Sequence, residues 1–116
     1  MSTTRDVLEH HLDAFGEQDL EEVMADYVEE SVVVTNMGTY RGLDEIEGLF
    51  EDLFADFGQA GSEIAVDQRE IEGDVAYIVW HGETPDNVYA FATDTFVVED
   101  GAIVTQTFAG QVEAKD

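Results

Sequence analysis

The chain has 116 residues, of which 28 are acidic and four are basic, so its formal net charge is −24. A hydrophobic fraction of 44% excludes a disordered acidic tail, and the lack of cysteine excludes disulfides and thiolate chemistry. Exposed charges repel over roughly 10 Å at 0.1 M salt but only about 3 Å at 1 M, which indicates a protein suited to the cytoplasm of an extreme halophile.

Helices are predicted in the first half of the chain. Segment 3–16 opens with a Thr-x-x-Asp capping box and carries apolar residues at helical spacing until its final glycine. Segment 19–28 repeats this start signal and the apolar stripe, which predicts a second helix. After a short β-branched strand at 31–35, segment 43–57 shows the strongest amphipathic pattern of the chain. We therefore expect three helices.

The second half alternates with period two and predicts strands. Gly73-Asp74 and Asp100-Gly101 have the composition of two-residue hairpin turns. The predicted strands are 63–72, 75–83, 88–99 and 102–112. Together these elements predict an α+β fold, with the helices packed on one face of a curved, mostly antiparallel sheet. No linker or repeat interrupts the chain, so we expect a single domain over 1–116.

The expected environment and partners follow from composition. The chain contains no run of 18 apolar residues and opens without a signal-peptide pattern, so we expect a soluble, cytoplasmic protein. Nucleic acid and anionic membranes are excluded as partners, because both are bound by clustered Lys and Arg. No calcium loop, phosphate loop or nucleophile motif is present, and we expect no metal site.

The order of several short motifs resembles a known family. The motifs are Gly16, Asp19 and Leu20 between the first helices, Gly42 and Ile46 at the third, and Asp94, Thr95, Phe96, Asp100, Gly101 and Ile103 in the last hairpin. This order is similar to that of the NTF2-like superfamily, in its SnoaL-like and ketosteroid-isomerase-like branch. The resemblance implies a cone with a pocket at its open end, no cofactor, and commonly a homodimer through the outer sheet face.

The hairpin register predicts where Asp94 points. A two-residue turn pairs Val98 with Ile103 and Asp94 with Thr107, and it puts Asp94, Phe96 and Val98 on one face. The other face would then hold Phe91, Thr93, Thr95, Val97, Val104, Gln106 and Phe108. Neither face is charged, so we expect the helices to cover one face and a partner chain to cover the other.

The resemblance implies that Asp94 lines the pocket. A carboxyl group in an apolar cavity keeps its proton to higher pH, and the neutral acid donates a hydrogen bond to an oxyanion, as in the ketosteroid isomerases. His11 matches the position where the isomerases carry a phenol that donates to the same oxyanion. The alternatives remain an exposed hairpin acid for Asp94 and a half-buried histidine at the core margin for His11.

The branch places a catalytic carboxylate just after the first strand, where this chain has Thr35 and Asn36 instead. Neither is a general base, so the isomerase reaction is not supported, although Asn36 could bind a ligand. The further candidates for the cavity wall, or for ordinary core, are Tyr27, Tyr40, Phe54, Trp80 and Phe96.

The sequence therefore predicts a pocket for a small apolar ligand with a carbonyl group. One alternative is a cofactor-free isomerase, cyclase or hydratase that uses Asp94 as acid or oxyanion donor. The other alternative is a dimeric interaction module without catalysis.

Overall fold

The computed structural model describes residues 2–115, which form three helices and one six-stranded sheet. The helices are α1 (Thr4–Gly16), α2 (Leu20–Met24) and α3 (Gly42–Phe57). The strands are β1 (Tyr27–Thr35), β2 (Gly38–Arg41), β3 (Glu63–Glu72), β4 (Val75–Glu83), β5 (Asn87–Glu99) and β6 (Ala102–Ala114). Their order across the sheet is β2-β1-β6-β5-β4-β3, and only β1 and β6 pair in parallel within the described residues. The predicted α+β arrangement is confirmed.

The predicted caps start both N-terminal helices. Thr3 and Asp6 form the capping box of α1, and the side chain of Asp19 accepts the backbone N–H of Glu22 in α2. The second helix is shorter than predicted. Its stripe was expected to run through residue 28, but the backbone N–H of Ile103 donates to the Asp26 carbonyl over 2.7 Å and draws the chain into the sheet. The following residues therefore belong to β1.

The sheet is curved around the helices. Register shifts interrupt the pairing of β1 with β6, β3 with β4, β4 with β5, and β5 with β6. Such bulges bend a strand and increase its local twist. The core lies between the helices and the concave face, and its largest fully buried apolar side chains are Leu8, Val23, Val33, Ile46, Phe96 and Ile103. None of the described helices has the length and apolar character needed to cross a membrane.

The turn between β5 and β6 is confirmed, but the register beyond it differs from the prediction. Asp100 and Gly101 both adopt positive φ, at 52° and 77°, as a tight two-residue hairpin requires. Val98 pairs with Ile103 as expected, whereas the preceding residue of β5 pairs with Thr105. Val104 is therefore an extra residue in β6.

This bulge changes which side chains of β6 face inward. Asp94 pairs with Phe108 and not with Thr107, and Phe96 pairs with Gln106. Gln106 is 4% exposed and lies on the inner face, although the uninterrupted register had placed it outside. The predicted common face of Asp94, Phe96 and Val98 is preserved, because the extra residue belongs to the other strand.

One carboxylate ties the end of α3 to the connection between β4 and β5. Asp56 accepts hydrogen bonds from the Thr84 hydroxyl at 2.7 Å, the Asn87 amide at 3.0 Å and the Tyr89 hydroxyl at 2.6 Å. Burial would raise the pKa of Asp56, but these bonds and one from Gln59 outweigh it and hold the pKa below its usual value. The stabilisation is therefore present above the ordinary pKa of 3.8 and is lost as the pH falls through the lowered value.

We predict that Asp56→Ala lowers the free energy of unfolding by about 2 kcal/mol, because it leaves the donors of Thr84, Asn87 and Tyr89 without their acceptor. Urea unfolding at neutral pH measures the loss. Asp52→Ala removes an exposed acid from the same helix and should change the stability little. Equal effects of the two variants would contradict the anchoring role of Asp56.

Candidate functional site

A cavity of about 150 Å³ lies between α1, α3 and the concave face of the sheet. Its aromatic wall consists of Phe15, Tyr40, Phe50, Trp80, Tyr89, Phe96 and Phe108. At its open side are Met37, Ile64 and Val66, which are 72%, 42% and 41% exposed. Asp94 is the one carboxylic acid among the lining residues of the described chain.

The Asp94 carboxylate is buried and held by two donors. The indole N–H of Trp80 donates to Oδ1 over 2.8 Å, and the amide Nε2 of Gln106 donates to Oδ2 over 2.8 Å. Burial raises the pKa of Asp94 from 3.8 to about 6, and both hydrogen bonds oppose this rise. The group is therefore mainly ionised at neutral pH. This state differs from the neutral acid expected from the sequence.

Gln106 is itself oriented by a buried phenol. The hydroxyl of Tyr27 donates to its Oε1, which directs the amide nitrogen toward Asp94. Burial, and secondarily the charge of Asp94, raises the pKa of Tyr27 well above its usual value, so the phenol stays a donor. Sequence reasoning missed Gln106, because only the bulge in β6 brings it to the inner face.

His11 lines the cavity opposite the sheet and is neutral. Its ring lies 5.0 Å from that of Phe96 and 5.8 Å from that of Phe50, both edge-on. Burial, followed by the nearby charge of His10, lowers the pKa of His11 to about 4. Its Nδ1 is buried without a hydrogen-bond partner among the described residues.

A second buried carboxylate lies behind His11. Asp26 contacts Nδ1 of His10 at 2.8 Å, and its Oδ2 lies 4.0 Å from Nδ1 of His11. The other ring nitrogen of His10 contacts Glu22 at 3.2 Å, and the bonds to Asp26 and Glu22 raise the pKa of His10. No pattern in the sequence points to His10 and Asp26 as a pair. The two side chains meet only because α2 ends next to α1.

The structure separates the predicted site residues into two groups. Asp94, His11, Tyr40, Trp80 and Phe96 line the cavity.

The other three predicted residues do not line it. Tyr27 lies behind the wall and donates a hydrogen bond to the lining residue Gln106. Phe54 packs against Phe15, with 5.2 Å between their ring centroids. Asn36 is exposed, and its amide donates to the Gly110 carbonyl over 3.3 Å, because the end of β1 turns it toward the neighbouring strand. Within residues 2–115, no three His, Asp or Glu side chains form a cluster able to hold a metal ion.

We predict that Trp80→Phe raises the pKa of Asp94 above 6 by roughly 1 unit, since it removes a donor that stabilises the carboxylate. A ¹³C NMR titration of the carboxyl carbon measures the shift. Tyr89→Phe is the matched control, because its hydroxyl bonds to Asp56 instead. An unchanged pKa in the Trp80 variant would show that the indole does not hold the charge.

Solved structures share this fold at low sequence identity. An NTF2-like protein of unknown function from Cytophaga hutchinsonii superposes with a TM-score of 0.78 at 15% identity, over 96% of this chain and 92% of its own. A candidate ketosteroid isomerase from Kribbella flavida gives 0.78 at 16%, over 97% and 80%. A candidate polyketide cyclase from Sinorhizobium meliloti gives 0.74 at 16%, over 89% and 93%. At such identities the likeness shows the fold alone.

Sequence comparison defines the family more closely. No curated protein matches the chain significantly. The profile of the SnoaL-like domain matches residues 8–106, which include every cavity-lining position discussed above except Phe108. The chain shares its fold with NTF2-like proteins. It belongs to the SnoaL-like domain family.

Proposed function

We propose that the protein binds a small apolar molecule in the cavity and that Asp94 is its polar anchor. The observation that carries this proposal is an ionised carboxylate exposed to an otherwise apolar, open-ended cavity. Binding pockets combine apolar walls with a few placed polar groups in this way.

The size of the cavity limits the ligand. A dry cavity of about 150 Å³ takes up benzene in another protein. The present cavity has the same volume, so the buried part of a ligand corresponds to one ring. A larger molecule would extend past Met37, Ile64 and Val66 at the open side.

The energetic cost of Asp94 supports a functional role. Its pKa of about 6 exceeds the ordinary 3.8, which corresponds to about 3 kcal/mol of lost stability at neutral pH. Because the pKa of Asp94 is higher in the folded state than in the unfolded state, the free energy of unfolding falls as the pH rises from about 4 to 6. Strongly perturbed carboxylates in clefts are concentrated at functional sites.

A proton-transfer enzyme is the second candidate. A pKa of about 6 suits a general base near neutral pH, so Asp94 would accept a proton from a bound substrate. This role differs from the acid or oxyanion donor expected from the sequence. Two solved structures that share this fold are a candidate ketosteroid isomerase and a candidate polyketide cyclase. This likeness favours a reaction by proton abstraction. Asp94 is then the catalytic residue.

We predict that toluene binds in the cavity and that Leu53→Trp abolishes this binding, because the indole fills the space beside the lining leucine. Shifts in ¹H–¹⁵N NMR spectra measure the binding. Ala55→Trp places the same group on the exposed side of the same helix and should leave binding intact. If toluene shifts no resonance of the cavity wall in the wild type, the pocket proposal is wrong.

We also propose that a second copy of the chain covers the outer sheet face. Cross-strand pairing places a set of uncharged side chains on the central part of this face, with Glu70 and Glu72 beside it on the edge strand β3, even though the chain carries a net charge of −24. The uncharged side chains are Val32, Val34, Val75, Tyr77, Val79, Phe91, Thr93, Thr95, Val97, Thr105, Thr107 and Ala109. Phe91 is 54% exposed. A contiguous uncharged face of this kind favours a symmetric dimer, since apposed acidic surfaces would repel.

We predict a dimer mass by light scattering in molar salt and a monomer mass for Phe91→Asp, because the new carboxylates would face each other across the interface. Met37→Asp is the control. It adds the same charge at another exposed apolar residue, which lies at the cavity opening, so the dimer should persist. A monomeric wild type would remove the proposed assembly.

A further inference from the structure

Two donors of the cavity wall are engaged by Asp94. Trp80 has a single indole N–H, and it donates to Asp94. Gln106 donates one amide N–H to Asp94 and accepts a hydrogen bond from Tyr27 at its oxygen, so these two bonds fix the orientation of the amide and leave it one further N–H. Both side chains therefore direct a donor at the carboxylate.

Two of the three hydroxyl groups that line the cavity are engaged by other protein groups. Tyr89 donates to Asp56 over 2.6 Å, and the hydroxyl of Thr35 donates to the Gly38 carbonyl over 2.8 Å. Tyr40 is half-buried on the short edge strand β2. Its hydroxyl is the third, and it could donate to a ligand.

His11 adds an acceptor. Its Nδ1 faces the Asp26 carboxylate at 4.0 Å, an arrangement that favours the tautomer with the proton on Nδ1. In that tautomer Nε2 carries a lone pair, so the ring offers an acceptor and no second donor.

Asp94 retains free acceptor capacity. Each of its oxygens accepts one hydrogen bond from the protein, whereas an ionised carboxylate offers about four lone-pair sites. A carbonyl oxygen placed beside Asp94 would meet these lone pairs without a donor. A hydroxyl or an amine in the same place would donate into them.

We infer that the ligand of this cavity is a one-ring apolar molecule with a hydrogen-bond donor, a hydroxyl or an amine, which it donates to Asp94. This inference rests on the proposed binding function and changes the carbonyl ligand expected from the sequence. The polarity of the wall selects the donor, because a ligand that covers the remaining lone pairs of Asp94 without donating to them removes water from a charged group and gives it no hydrogen bond in return.

The test compares benzyl alcohol with benzaldehyde, which have the same ring and the same number of heavy atoms but differ in the donor. Titration by NMR at a pH above 7, with toluene as the apolar reference, gives the three dissociation constants. Benzyl alcohol should bind roughly tenfold more tightly than benzaldehyde, as expected for a hydrogen bond to a charged group. Benzylamine tests whether the donor group of the ligand is charged. If benzylamine binds more tightly than benzyl alcohol, the donor is a cationic amine. If it binds more weakly, the donor is a neutral hydroxyl.

Variants assign the preference to Asp94. Asp94→Asn should abolish or reverse the preference, whereas Asp52→Asn, which removes an exposed acid, should leave it unchanged. A preference lost in Tyr40→Phe would instead assign it to the Tyr40 hydroxyl and overturn the assignment to Asp94. A measurement on the wild type at about pH 5, roughly one unit below the pKa of Asp94 and therefore with the group mainly protonated, serves the same purpose if the Asn variant does not fold. The preference for benzyl alcohol should then disappear.

The outcomes separate the inference from the proposed function. If benzaldehyde binds as tightly as benzyl alcohol or more tightly, the donor inference is overturned, while the cavity remains a ligand site. If none of the probes binds, including toluene, both proposals fail. A preference that survives in Asp94→Asn and at about pH 5 would also overturn the assignment to Asp94.

Discussion

A carboxylate inside an apolar cone persists only where donors hold it, and this requirement organises the inner wall of the sheet. Trp80 and Gln106 each supply one donor to Asp94, and Tyr27 orients Gln106 from behind. These bonds keep the pKa from rising further, yet burial still raises it to about 6. The result is a carboxylate that is mainly ionised at neutral pH and that lines a cavity with few other polar groups.

The bulge at Val104 is the geometric condition for this arrangement. Without the extra residue, the β6 side chain beside Phe96 would be that of Thr105, whose hydroxyl cannot reach both Asp94 and Tyr27 as the longer amide does. The other register shifts curve the sheet, so that α1 and α3 cover the concave face while the cavity stays open at one end. The bulges thus determine both the shape of the cavity and the polar group inside it.

The acidic side chains are distributed unevenly between the surface and the interior. Most acids of this chain lie at exposed positions, but Asp26, Asp56 and Asp94 are withdrawn and each has specific hydrogen-bond partners. The central outer face of the sheet is free of charge, which sets it apart from the rest of the surface. Proteins with this fold at 15% to 16% identity include candidate enzymes of different kinds and a protein of unknown function, so the fold alone does not define what this chain does.

The sequence by itself determined the features that depend on neighbouring residues. The caps at Thr3 and Asp19, the turn at Asp100-Gly101 and the common face of Asp94 and Phe96 follow from local hydrogen bonds and from the period of two. These features predicted the helices, the hairpins and five of the residues that line the cavity. Only the tertiary structure decided which donors reach Asp94, that Asn36 turns away, and that His10 and Asp26 meet behind His11. Those contacts join residues far apart in the chain, and a single bulge reverses the face of every residue beyond it, which no local pattern records.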